Sequence, residues 1–175
     1  QNYSYTLYGN QTLQARPCIV NSVNQLFIAE FPHVICPAGT IHEGFGKSFK
    51  KGDCTPCLAG TYNADDGMNA MSHDSFNEDC QNCPAGTYLQ DNGTNASIHT
   101  SISNCIICKA GTYAPSSGSS ICKICSGGTY LEDDGANMQL HNNVEDCIVC
   151  SAGKFLPDLG VNATYHDSAN DCLLC

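Results

Sequence analysis

Twelve of the 14 cysteines stand in six C-x-x-C pairs, from Cys54-Thr55-Pro56-Cys57 to Cys172-Leu173-Leu174-Cys175. Thiols at that spacing can bond to one another, hold zinc, or cycle between dithiol and disulfide. A redox enzyme uses one reactive C-x-x-C on a βαβ scaffold, and six in tandem do not fit that pattern. Zinc calls for a reducing compartment or a specialised site, and disulfides for an oxidising one. Five N-x-[ST] sequons, at Asn2, Asn10, Asn92, Asn95 and Asn162, join the cysteine density and a net charge of −10 in favouring secretion. Disulfides are therefore the expected chemistry, with zinc modules as the alternative.

Histidine and aspartate form a second constellation. His73, His99, His141 and His166 each stand sixteen residues after a cysteine, and Asp65, Asp91, Asp133 and Asp158 eight residues after the same one. Between them come Gly67, Gly93, Gly135 and Gly160, then Asn69, Asn95, Asn137 and Asn162. Binding one metal ion would require the histidines to converge, but in a linear stack equivalent residues lie one unit apart. The expected role is a turn-stabilising hydrogen bond to backbone or to the nearby aspartate. A calcium loop is not expected, because the segment lacks dense alternating oxygen ligands and a closing bidentate Glu. No G-x-S-x-G, H-E-x-x-H or phosphate loop occurs, and a disulfide-bound cysteine is no nucleophile, so no enzyme is expected. Nucleic acid is excluded as a partner by 17 acidic against seven basic residues. Apolar runs stop at four or five residues, such as Leu26 to Ala29, far short of the roughly twenty a membrane span needs.

These residues are positioned by a repeat. Six stretches open alike, including Cys36-Pro37-Ala38-Gly39-Thr40-Ile41, Cys83-Pro84-Ala85-Gly86-Thr87-Tyr88 and Cys108-Lys109-Ala110-Gly111-Thr112-Tyr113. The opening cysteines step by 21, 26, 25, 17 and 25 residues, and Cys175 lies 25 beyond Cys150. The modules are 36–56, 57–82, 83–107, 108–124, 125–149 and 150–175; the first and fourth are short and lack the Asp–His signature. A unit of this size cannot bury a core of its own. The expectation is a small, disulfide-rich, mostly irregular and β fold: an elongated tandem array of short two-stranded pieces with almost no helix. The recurring Gly suits a left-handed or close-approach backbone, and the aromatic two residues later covers the adjacent disulfide or the next unit.

Two connectivities use these cysteines. One closes each module: Cys36–Cys54, Cys57–Cys80, Cys83–Cys105, Cys108–Cys122, Cys125–Cys147 and Cys150–Cys172, leaving Cys18 and Cys175. The other pairs Cys18 with Cys36 and closes every C-x-x-C internally, using all fourteen. On the chain-entropy model the larger module loops gain about 1.5 kcal/mol more per bond, which favours the first. The openings, C-P-A-G-T-Y followed by a spaced C-x-x-C, resemble the cysteine-rich repeats of ephrin-receptor tyrosine kinases. They also resemble the first module of tumour-necrosis-factor-receptor cysteine-rich domains, and arrays in large extracellular proteins of algae and other protists. The resemblance covers about 36–175. It implies a stack of small modules with each first cysteine bonded to the next.

Residues 1–35 do not repeat. Tyr3, Tyr5 and Leu7 alternate with polar residues as in a strand, Gly9-Asn10 reads as a turn, and Ile19 to Phe31 is a second β-prone run. This segment is expected either to cap the first module or to add its strand to another chain. Cys18 and Cys175 near the two ends cannot meet within one extended chain, which suggests a bond from Cys175 of one protomer to Cys18 of the next. Such a head-to-tail contact that does not close makes a filament. The expected protein is thus an extracellular structural glycoprotein, the protomer of a fibril, surface hair or matrix with itself as partner. The alternative is a receptor or adhesion ectodomain binding a protein along its flank.

Overall fold

A computed structural model describes residues 4–7, 11–14, 36–42, 54–67, 73 and 75–175. The chain divides into two compact units, Gln1–Pro32 and His33–Cys175. In the first, β1 (Ser4–Leu7) pairs antiparallel with β2 (Gln11–Gln14), Ser4 opposite Gln14 and Leu7 opposite Gln11. The Gly9-Asn10 turn, the run from Ile19 to Phe31, the sequons at Asn2 and Asn10, and Cys18 lie outside the described residues.

The second unit carries six two-residue ladders in tandem. They are β3 (Thr40–Ile41) with β4 (Thr55–Pro56), β5 (Thr61–Tyr62) with β6 (Gln81–Asn82), and β7 (Thr87–Tyr88) with β8 (Ile106–Ile107). Then come β9 (Thr112–Tyr113) with β10 (Lys123–Ile124), β11 (Thr129–Tyr130) with β12 (Ile148–Val149), and β13 (Lys154–Phe155) with β14 (Leu173–Leu174). The sequence explains each one. After the opening cysteine the chain turns, with Gly39 at φ +78° in the third turn position, the geometry of a type II turn. Thr40 closes the turn by donating both its N–H (3.1 Å) and its hydroxyl (2.6 Å) to the Pro37 carbonyl. In the first five modules a β-branched threonine and then Ile or Tyr enter the strand, in the sixth Lys154 and Phe155, and the middle of the C-x-x-C supplies the partner.

Six disulfides, Cys36–Cys54, Cys57–Cys80, Cys83–Cys105, Cys108–Cys122, Cys125–Cys147 and Cys150–Cys172, each lie inside one module and span 14 to 23 positions. Cys175 is free and exposed. The one α-helix among the described residues, α1 (Phe76–Asp79), is a single turn. Modules three, five and six place 3₁₀ turns there, at 102–104, 144–146 and 169–171. The core is a string of small clusters. Ile41 packs on the half-cystines Cys57 and Cys80, Tyr62 on Cys83 and Cys105, and Tyr113 on Cys125 and Cys147. In each case the residue after the threonine covers the disulfide of the following module.

Candidate functional site: a histidine clasp between modules

The Asp–His signature is a hydrogen-bonding device. The Asp133 carboxylate accepts the N–H groups of Gly135, Ala136 and Asn137 at 3.1, 2.9 and 3.2 Å, and Asp158 those of Gly160, Val161 and Asn162 at 2.9, 2.8 and 3.3 Å. Asp91 accepts the N–H groups of Thr94 and Asn95 together with the Thr94 hydroxyl. The asparagine four residues on caps the next 3₁₀ turn: Asn95, Asn137 and Asn162 accept the N–H of Ser97, Gln139 and Thr164. The Asp or Asn before the closing cysteine completes a capping box on the next 3₁₀ turn, where the Asn104, Asp146 and Asp171 side chains accept the backbone N–H of the N-cap residues Ser101, Asn143 and Ser168. In Asp133 and Asp158 a single carboxylate oxygen, Oδ1, receives all three N–H groups.

The histidine ties this loop to the preceding module. His73, His99, His141 and His166 are wholly buried. Each Nε2 lies 2.8–3.1 Å from the aspartate of its own module: Asp65, Asp91, Asp133 and Asp158. Each Nδ1 lies 2.6–2.8 Å from a carbonyl oxygen of the module before: Thr40, Thr61, Thr112 and Thr129. Each ring thus faces an acceptor at both nitrogens, and Nδ1 of His73 also lies 3.3 Å from Nδ2 of Asn63. No buried side-chain nitrogen or oxygen among the described residues lacks a partner.

Backbone bonds complete the join. The histidine carbonyl accepts from the residue after the second strand position of the preceding module (Ile41, Tyr62, Tyr113 or Tyr130): His42 N–H donates to His73 (2.7 Å), Asn63 to His99 (2.8 Å), Ala114 to His141 (2.8 Å) and Leu131 to His166 (2.8 Å). In the short fourth module, which has no histidine, the Ser119 carbonyl accepts from Leu89 at 3.1 Å instead. The opening glycine donates forward as well, Gly39 to Asn63, Gly60 to Leu89, Gly86 to Ala114 and Gly111 to Leu131, all at 2.8 Å. It also reaches two modules ahead. A Cβ at Gly39 would overlap the carbonyl of Ala96; at Gly60, Gly86 and Gly111 it would overlap those of Gly118, Met138 and Ala163.

The histidines do not come together, and among the described residues no three His, Cys, Asp or Glu side chains group as metal ligands. Hydrogen bonds to the nearby aspartate and to backbone are the ones the sequence suggested. The threonine carbonyls and the two-module reach of the glycine were missed. The only sequence signal for either was that Gly and Thr recur at fixed places in the openings.

Three of the clasp carboxylates, Asp91, Asp133 and Asp158, are held below the ordinary carboxylate range. For Asp158 the causes are the His166 hydrogen bond, then Val161 N–H, and its pKa falls to about 2. Asp133 is lowered by His141 first and then by Asn137 N–H; Asp91 is lowered chiefly by the Thr94 hydroxyl, then by Asn95 N–H, with His99 a lesser cause. A depressed folded-state pKa stabilises the fold above the unfolded value of about 4, and that contribution disappears as pH falls through the folded value. Thermal melts followed by circular dichroism should therefore hold steady above pH 5 and fall between about pH 4 and 2. A melting temperature flat down to pH 2 would contradict the clasp.

The fold and the clasp together define a tandem array of disulfide-bonded cysteine-rich modules coupled by backbone hydrogen bonds. Within it, residues 93–141, from the third module into the fifth, match the family described as tyrosine-protein kinase ephrin type A/B receptor-like. No curated protein matches the chain. No helix among the described residues is long and apolar enough to cross a membrane.

Proposed function

We propose that the chain is an extracellular structural glycoprotein, the protomer of a filament, surface hair or matrix assembled head to tail from copies of itself. The observation that carries this reading is the directional coupling of modules. The opening glycine N–H of modules one to four donates to the next module, the threonine carbonyl of modules one, two, four and five meets the next module's histidine, and the glycines of modules one to four are covered from two modules on, a join that repeats in one direction without closing on itself. The reading is non-enzymatic and needs no cofactor. Oxidised module disulfides and the ephrin-receptor-like match support an extracellular setting. Glycosylation is supported at Asn92, Asn95 and Asn162, whose side chains are exposed. At Asn95 and Asn162 the cap uses only Oδ1, leaving Nδ2 for a sugar.

The family match favours a second reading, a receptor or adhesion ectodomain binding a protein along its flank. Negative-stain microscopy with light scattering separates the two. Polymers that lengthen with concentration support the filament, and short particles at every concentration overturn it. A covalent form would join Cys175 to Cys18 of the next copy and appear as a ladder on non-reducing gels.

A further inference from the structure

The clasp loop of module three departs from its sisters. In modules two, five and six the turn glycine donates its N–H to the clasp aspartate: Gly67 to Asp65 at 3.0 Å, Gly135 to Asp133 at 3.1 Å and Gly160 to Asp158 at 2.9 Å. In module three Asp91 is occupied by the N–H groups of Thr94 (2.8 Å) and Asn95 (2.9 Å) and by the Thr94 hydroxyl. Among the described residues the Gly93 N–H meets no acceptor. The residue before the glycine differs too. Asp66 and Asp134 hold that place in modules two and five and Leu159 in module six, whereas module three has Asn92, in the one Asn-Gly pair of the chain. The Asn92 side chain is exposed, and no described residue holds its amide. We propose that Asn92-Gly93 is a site of spontaneous deamidation whose isoaspartate product loosens the clasp between modules two and three. This chemistry depends on neither the filament nor the receptor reading.

An N–H that donates to a carboxylate is hard to deprotonate, because the amide anion would face the carboxylate's negative charge. Gly67, Gly135 and Gly160 are protected in this way and Gly93 is not. Glycine also has no side chain to obstruct the approach. Once hydroxide removes the Gly93 N–H proton, the nitrogen attacks Cγ of Asn92. The N–Cγ bond forms, the Cγ–Nδ2 bond breaks, and ammonia leaves with a proton from water, closing a succinimide. Water then opens the ring. Attack at the side-chain carbonyl gives aspartate, and attack at the main-chain carbonyl gives isoaspartate, with the main chain rerouted through Cβ and Cγ. Nothing is oxidised or reduced, and water is the only co-reactant. The first product gives module three the Asp-Asp-Gly that modules two and five already carry. The second lengthens the main chain between Asp91 and Gly93. Asp91 holds His99, whose Nδ1 and carbonyl bond Thr61 and Asn63 of module two. Gly93 rests on the preceding C-x-x-C, where a Cβ would lie 3.4 Å from the Pro56 carbonyl oxygen. An extra atom between these two anchors pulls the loop off module two. A glycan on Asn92 substitutes the departing nitrogen and blocks the step, so the site is open on copies without sugar there.

The test ages the intact, disulfide-bonded chain, made in a host that adds no N-glycans, in mildly alkaline buffer. Digestion at acidic pH and mass spectrometry with electron-transfer fragmentation then separate asparagine, aspartate and isoaspartate at each position. Asn92 should convert several-fold faster than Asn95, Asn137 or Asn162, and Asn92→Gln should abolish the product. Thr94→Val frees an Asp91 oxygen for the Gly93 N–H, as in the other modules, and should slow conversion. Asn92 converting no faster than Asn95 or Asn162, or converting only after the disulfides are reduced, overturns the site. Hydrogen exchange reads the clasp. The Asn63 amide, which donates to the His99 carbonyl, should exchange faster in the aged chain than in the fresh one, and equally in fresh and aged Asn92→Gln. Unchanged exchange at Asn63 with isoaspartate present overturns the loosening.

Discussion

Reduction of the disulfides should unfold the array at ordinary temperature, and replacing the Cys83–Cys105 pair by serines should lower stability by about 3 kcal/mol. The pair closes 22 positions, and in the chain-entropy model a loop of that size removes about that much freedom from the unfolded state. Little else can compensate. Among the described residues the largest wholly buried side chains are Ile41, the four histidines and five half-cystines, rather than the large apolar side chains of an ordinary core. The ladders are two residues long, and an isolated two-stranded piece is marginal even when longer. Loss of Cys83 and Cys105 also strips the surface on which Tyr62 and Leu89 pack, coupling the damage to the module before. Far-ultraviolet circular dichroism with and without reductant measures the effect, and a chelator in place of reductant should do nothing. An unchanged melt in reductant would mean that hydrogen bonds between modules hold the array unaided.

How far this structure was legible varies with distance along the chain. Pairing within modules could be weighed from loop length alone, because entropy depends only on separation. The Asp–Gly–Asn turn was also readable, since a carboxylate that accepts N–H groups two to four residues on is a local device. The far end of the clasp was not. His99 reaches the Thr61 carbonyl 38 residues earlier, a partner fixed only when one module's ladder is set against the next. A backbone carbonyl leaves no trace in residue type, so Thr61 gave no sign of its role. The aromatic position lies between these cases. Its cover of a disulfide was expected, but whether that disulfide was its own or the next module's depended on the direction of stacking.

The glycines give the sharpest test of that stacking. Gly86 and Gly153 occupy the same turn in modules three and six, with φ of +86° and +82°. Alanine at either place carries the cost of a left-handed backbone, about 1–2 kcal/mol. At Gly153 nothing else is in the way, whereas at Gly86 the new Cβ would overlap the Met138 carbonyl two modules on. That oxygen is backbone, in the 3₁₀ turn just before His141, so it cannot swing aside as a side-chain tip would. Relief means shifting the turn, which strains the bonds from His141 to Thr112 and Ala114. Gly86→Ala should therefore cost about 2 kcal/mol more than Gly153→Ala in denaturant titrations of dilute protein. Because the two variants share residue type, turn and φ, their difference isolates the contact between alternate modules. Equal costs would show that the glycine serves its own turn alone.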